Sequence, residues 1–240
     1  MNKIKSMLFF GLILTLAACD VAVHSEYSIR DIEDVIATGK PLQVSSDFQI
    51  QMGSPKTCQE QSEKIVQLLS SFIKIDSKKC KKNGMDDYLN VHTYLVLMSD
   101  TEFEAGTIGR PPIGFVTHTA SYLSPKNNTN VTVNNLVLYI DKNTFDTMNT
   151  TLKGSNPMSP DFKIHKIVFD LANDTSYNKQ YLIATDSYLN GEPKLNGMIG
   201  DLESRKKVNI QLNQTFIDFV LANQAGRIMS VADDMRSYFD

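Results

Sequence analysis

Residues 21–52 read VAVHSEYSIRDIEDVIATGKPLQVSSDFQIQM, a strand, a helix and a second strand in one run. Val21 to Ser28 reads as a short strand. Ser28 then opens a helix: Asp31 stands three residues on, as in a capping box, and Ile29, Ile32, Val35 and Ile36 share one helical face. Gly39 follows as the left-handed residue that closes a helix. Leu42, Val44, Ser46, Phe48, Ile50 and Met52 then alternate with polar residues, the period of a strand with one buried face.

The same grammar continues along the rest of the chain. Ser54-Pro55 opens a helix whose inner face carries Cys58, Ile65, Leu68, Leu69 and Phe72, with proline suited to the first turn. Lys78 to Gly84 reads as a basic turn, Tyr88 to Met98 as a β-rich run, and residues 101–114 as a loop. Phe115 to Thr117 and Val131 to Ile140 read as strands flanking a polar tip, Ser124 to Asn130. Asp141 caps a helix bearing Phe145, Met148 and Leu152 and ended by Gly154. Phe162 to Leu171 is a strand. Tyr181 to Leu189 with Asn190-Gly191 suggests a hairpin, because that dipeptide favours the tight turn matching strand twist. Val208 to Leu212 alternates, Asn213 caps a helix with Phe216, Ile217, Phe219, Val220 and Leu221, and Gly226 precedes a strand, Ile228 to Val231.

Strand, polar cap, helix of about ten residues, then glycine recurs around 21–39, 136–154 and 208–226. Strand–helix–strand connections can build parallel pairs, while the Asn190-Gly191 hairpin is antiparallel. The fold class expected is α+β: a mixed, mainly antiparallel sheet with short helices packed on one face.

The N-terminus bears on compartment. Lys3 and Lys5 precede an uncharged run from Met7 to Ala18, the layout of a secretory signal peptide. The run is shorter than the roughly 20 apolar residues that cross a bilayer. It ends Leu16-Ala17-Ala18-Cys19, which resembles the lipobox of bacterial lipoproteins. That resemblance implies cleavage between Ala18 and Cys19 and a lipid on the Cys19 thiol, with palmitate among the acyl groups. It also implies a chain held at the periplasmic face of a membrane; two or more buried chains suffice for a stable anchor. Asp20 after the modified cysteine resembles the signal that retains enterobacterial lipoproteins in the inner membrane; the outer membrane is the alternative. The expected organisation is a signal peptide at 1–18 and an exported globular region at 19–240. That region is one domain, or two sub-domains divided near 100–114. Beyond Cys19, the order of helix, glycine, strand and spaced cysteines resembles uncharacterised small lipoproteins carried by enterobacteria and their prophages.

Cys19 once assigned, Cys58 and Cys80 remain, and in an oxidising periplasm the pair reads as a disulfide. Removing residues 1–18 takes two lysines away, so 24 basic residues become 22 against 27 acidic ones, a net charge of −5. No basic bias suggests nucleic acid, and 42% hydrophobic with 21% charged residues is ordinary for a globular chain.

Chemistry-bearing motifs are sparse. His24, His92, His118 and His165 are scattered without a metal-ligand spacing. There is no GxSxG elbow, no SxxK, no GxxxxGK[ST] and no GxGxxG. In Gly109-Arg110-Pro111-Pro112-Ile113-Gly114 two prolines remove the N–H groups that a phosphate cradle needs. The Lys78 to Lys82 cluster could touch anionic lipid but reads better as a solvated turn beside the disulfide. The expectation is therefore no catalytic residue, metal or cofactor. A non-enzymatic binding or interaction module fits, partnered by the membrane through its lipid and by an envelope protein. If the gene is prophage-borne, interference with phage DNA entry is one role. The alternatives are an envelope enzyme with a site assembled from distant residues around 101–114, and a solute-binding lipoprotein, a class usually longer and two-lobed.

Overall fold

In a computed structural model of the chain, residues 19–106, 111–124, 128–155 and 162–236 are described. The signal-peptide segment with Ala18, the Gly109-Arg110 pair and part of the 124–130 tip lie outside these residues, as do the side chains of Cys19 and Leu152. The elements are, in order, β1 (Cys19–Ser28), α1 (Ile29–Thr38), β2 (Leu42–Met52), α2 (Pro55–Leu69), β3 (Ile75–Asn83), β4 (Asp86–Ser99) and α3 (Asp100–Ala105). There follow β5 (Ile113–Leu123), β6 (Asn130–Ile140), α4 (Lys142–Ser155), β7 (Phe162–Ala172), β8 (Lys179–Ile183) and β9 (Ser187–Leu189). The chain ends with β10 (Glu192–Lys194), β11 (Ile199–Leu202), β12 (Lys207–Leu212), α5 (Gln214–Asn223) and β13 (Ala225–Ala232).

Local signals act as expected in 21–52. The Ser28 hydroxyl accepts from the Asp31 N–H at 3.1 Å, and the Asp31 carboxylate accepts from the Ser28 N–H at 2.7 Å. Gly39 closes α1 at φ 66°, a conformation that costs glycine nothing. Ile29, Ile32 and Val35 go inward.

The described strands form one sheet, ordered β10-β9-β12-β7-β1-β2-β4-β5-β6-β13-β8-β11, with β3 paired to β4 off this path. Strand accounts for 52% and helix for 26%, so the α+β expectation is corrected towards β. The sheet is a mixed one, with parallel pairs in its interior, β1–β7 and β4–β5. The recurrent strand–helix–strand units are not the source of those pairs. β1 and β2, joined by α1, are antiparallel, whereas the β4–β5 pair is joined through α3.

Connectivity requires the sheet to curl. Residues 173–178 join β7 to β8, 184–186 join β8 to β9, and 203–206 join β11 to β12. Each link bridges positions near opposite ends of the strand order. A few residues reach only about 3.5 Å each, so the ends must lie close together. The inner face then packs one core, with Phe115, Phe169, Leu97, Leu136 and Ile50 fully buried and α1, α2, α4 and α5 contributing Ile32, Leu69, Met148 and Ile217. Tyr27 sits edge-on to Phe115, ring centroids 4.7 Å apart.

Four readings change. Lys78 to Lys82 is not a turn but most of β3, an edge strand in which Lys78 pairs with Glu63 of α2; lysines suit an edge because they block further strand addition. The 101–114 loop begins inside a helix, since the Ser99 hydroxyl caps α3. Tyr181 to Leu189 is two strands rather than one. Gly226 lies inside β13, and the left-handed residue that ends α5 is Gln224, φ 68°.

Candidate functional site

Rungs of the sheet define two ends. Val21 faces Ile50, Met52 faces Asp87, and Asp87 faces Lys82, so Cys19 begins β1 on the rung of Met52, Asp87 and Lys82. At the other end Ser99 faces Thr117, and the β5–β6 hairpin continues past the end of β4 to Leu123.

At this far end the outer face of β5, β6, β13 and β8 carries a pocket of about 190 Å³. Val131, Val133, Leu182 and Met235 make its apolar walls, Ser230 its polar wall, and Tyr122 and Arg227 its mouth. Strand alternation puts these side chains outside: Leu136 and Leu138 point to the main core, while Val131 and Val133 point away from it. The chain after β13 closes one side, because the N–H groups of Met235 and Arg236 donate to the Gln180 Oε1 at 2.6 and 3.1 Å. Arg227 is exposed and donates from Nη1 to the Tyr122 hydroxyl at 3.3 Å.

Behind the pocket runs a polar chain, buried at Ser230 and Asn135 and half-buried at His118. The Ser230 hydroxyl donates to the Asn135 Oδ1 at 2.5 Å, and the Asn135 Nδ2 donates to the His118 Nε2 at 3.0 Å. This order does not activate a nucleophile: an amide stands between serine and histidine, and an amide neither accepts nor relays the serine proton. The network instead fixes the pocket's rear wall. A cavity near 190 Å³ exceeds the ~150 Å³ that holds benzene and falls below the ~300–1,000 Å³ of drug-sized sites. It suits one ring or a short acyl chain, with a negative head at Arg227.

A second constellation lies on the outer face of β1, β7 and β12. Metal-ligand atoms of His24, Glu26 and Asp170 lie within 4.8 Å of one another. Both Asp170 oxygens already have partners: Oδ1 accepts from the Asn209 Nδ2 at 2.7 Å and Oδ2 from the Lys207 Nζ at 2.9 Å. Burial alone would raise the Asp170 carboxyl, but these hydrogen bonds and the charges of Lys207 and His24 outweigh it and hold it below the usual carboxylate range. A lysine on the coordinating oxygen makes this an ion-pair network rather than a cation site.

The cysteines expected to pair do so: Cys58 of α2 and Cys80 of β3 are bridged, Cα atoms 6.1 Å apart, within normal reach. Asp20 is the second residue of β1 and stands in register with Lys163. The histidines stay apart: His92 bonds Asp47 at 3.0 Å, and His165 is exposed. No sequence motif announced the pocket, whose residues come from four strands and the segment after β13; Arg227 within a mostly apolar strand was its one local trace. Among the described residues no helix is long and apolar enough to cross a membrane.

A family model described as Domain of unknown function (DUF7424) matches residues 21–234. No curated protein and no solved structure matches the chain.

Proposed function

The chain belongs to the family described as Domain of unknown function (DUF7424), and we propose that it is a lipid-anchored envelope protein acting as a non-enzymatic binding module. The pocket bounded by Val131, Leu182, Met235 and Arg227 carries this reading. Apolar walls would hold a short hydrocarbon body, and the Arg227 guanidinium would meet a carboxylate or other anion at the mouth. The anchor reading rests on Leu16-Ala17-Ala18-Cys19, and the Cys58–Cys80 bridge fits an oxidising compartment.

Binding is tested by titrating the mature protein with octanoate and with octanol. Both should bind; Arg227→Ala should weaken octanoate about tenfold and leave octanol unchanged, the size of one charge-assisted hydrogen bond. Leu182→Trp should block both by filling the cavity. Retained binding in Leu182→Trp would overturn the site. Anchoring is tested with a clickable palmitate: label should appear on the wild type and vanish from Cys19→Ala. Sorting is tested by gradient fractionation, where Asp20→Ser should move the protein from inner- to outer-membrane fractions.

A further inference from the structure

We infer that the β3–β4 turn, with Met85 at its tip, is a second membrane contact that seats the domain end-on against the bilayer carrying its lipid. The inference rests on the lipid-anchor reading and adds an orientation to it.

Three observations carry it. First, a lipid on Cys19 would have no linker: that residue is already the first of β1, in register with Phe162 of β7. The sheet edge would be held at headgroup level. Second, the turn reaches further than the anchor rung. Asp87 faces Lys82 on that rung, Asn83 faces Asp86 one step beyond, and Gly84 and Met85 turn past them. About two residue rises, roughly 7 Å, carry the tip into the headgroup layer. Third, the tip exposes an apolar side chain: Met85 is 97% accessible. Edge protection accounts for the lysines of β3 but not for a methionine at the apex.

Charge contributes little to this docking. Lys81, Lys82 and Lys163 near the anchor rung are balanced by Asp20, Asp86 and Asp87, and Asp86 is already held by the Gln51 Nε2 at 3.2 Å. The occupant is thus the bilayer itself, entered by an apolar tip, rather than a specifically anionic patch of lipid. Contact should persist in neutral vesicles and in high salt.

The chain contains no tryptophan, so a single introduced indole reports its own surroundings. Full-length protein lipidated in a bacterial host would be reconstituted into phosphatidylcholine vesicles with and without brominated acyl chains, as Met85→Trp and, for the far end, Leu123→Trp, a position 57% accessible. The expected result is co-flotation of both variants, with at least half of the Met85→Trp emission quenched by bromine and the Leu123→Trp emission unaffected. Failure to co-float would remove the anchor reading and this inference with it. Co-flotation with Met85→Trp unquenched, or with both variants quenched alike, would overturn the orientation while leaving the anchor intact. Loss of quenching in high salt would replace apolar insertion by charge attraction and would equally overturn the inference.

Discussion

The two ends of the sheet are fastened by different physics. At the end that begins with Cys19, a covalent bridge ties α2 to β3: Cys80 lies two rungs from Asp87, facing Leu89, and Cys58 sits in the first turns of α2. At the far end one fastening is a buried amide. Asn173, fully buried, donates from Nδ2 to the carbonyls of Tyr177 (2.7 Å) and Leu202 (2.9 Å), and its Oδ1 accepts from the Thr175 N–H and hydroxyl. Its backbone also pairs with Arg205 and Lys206, joining two of the links that force the sheet to curl. A disulfide acts mainly on the unfolded chain, whereas a saturated buried amide acts on the folded one. The two ends should therefore respond differently when their fastenings are removed.

Removing the bridge should produce the largest effect. Closing a loop with a sequence separation of 22 residues is worth about 3 kcal/mol, so Cys58→Ser with Cys80→Ser should lower Tm by roughly 6–12 °C. Scanning calorimetry measures it, and hydrogen exchange should show its largest added opening in α2 and β3. Asn173→Ala comes next, at roughly 2 kcal/mol, because it strands buried carbonyls as well as removing bonds. Its signature should be faster exchange at 173–178 and 203–206 with the disulfide region unchanged. If each variant loosened both ends equally, the contrast between them would collapse.

Most local structure was legible and most connectivity was not. The capping box at Ser28, the Asn213 cap and the Asn190-Gly191 turn all act within a few residues, so their reading survives in three dimensions; Asn190 and Gly191 take φ 50° and 85°, as such a turn requires. Tyr181 to Leu189 misled because alternation says which face is buried and not which neighbour is paired. The break falls where the Ala184 N–H turns to Ile228 and the Asp186 carboxylate accepts from the Asn196 N–H, contacts with no local signature. The lysines of β3 misled because polarity usually marks turns, while an edge strand tolerates charge. The pocket was illegible for the same reason as the pairing: its walls meet only once β5, β6, β13 and β8 are neighbours.

A smaller effect separates the pocket from its own frame. Arg227→Ala, beyond its tenfold cost in octanoate affinity, should shift Tm by less than about 2 °C, since Arg227 is exposed and its bond to Tyr122 is long. A drop comparable to that of Asn173→Ala would make Arg227 a fastening rather than a ligand contact.

The smallest effect lies in the pH dependence, on the face between the two ends. Asp170 is held below its ordinary range in the folded state by Asn209 and Lys207, against the opposing push of burial. A depressed folded value means that the unfolded chain binds the proton more readily, so stability is fully present above the unfolded carboxylate value of about 3.9 and is lost as pH falls through the folded one. In Asp170→Asn the amide keeps the shape but has no proton to gain and no charge to offer Lys207. The variant should therefore be less stable than the wild type at pH 7 and converge on it as pH falls through the folded value, giving a flatter acid limb in urea unfolding. Neither Cys58 nor Asn173 titrates in this range, so replacing them should displace the whole curve downward without changing its slope. An acid limb in Asp170→Asn as steep as that of the wild type would remove the Lys207–Asp170–Asn209 network from the forces that join β7 to β12.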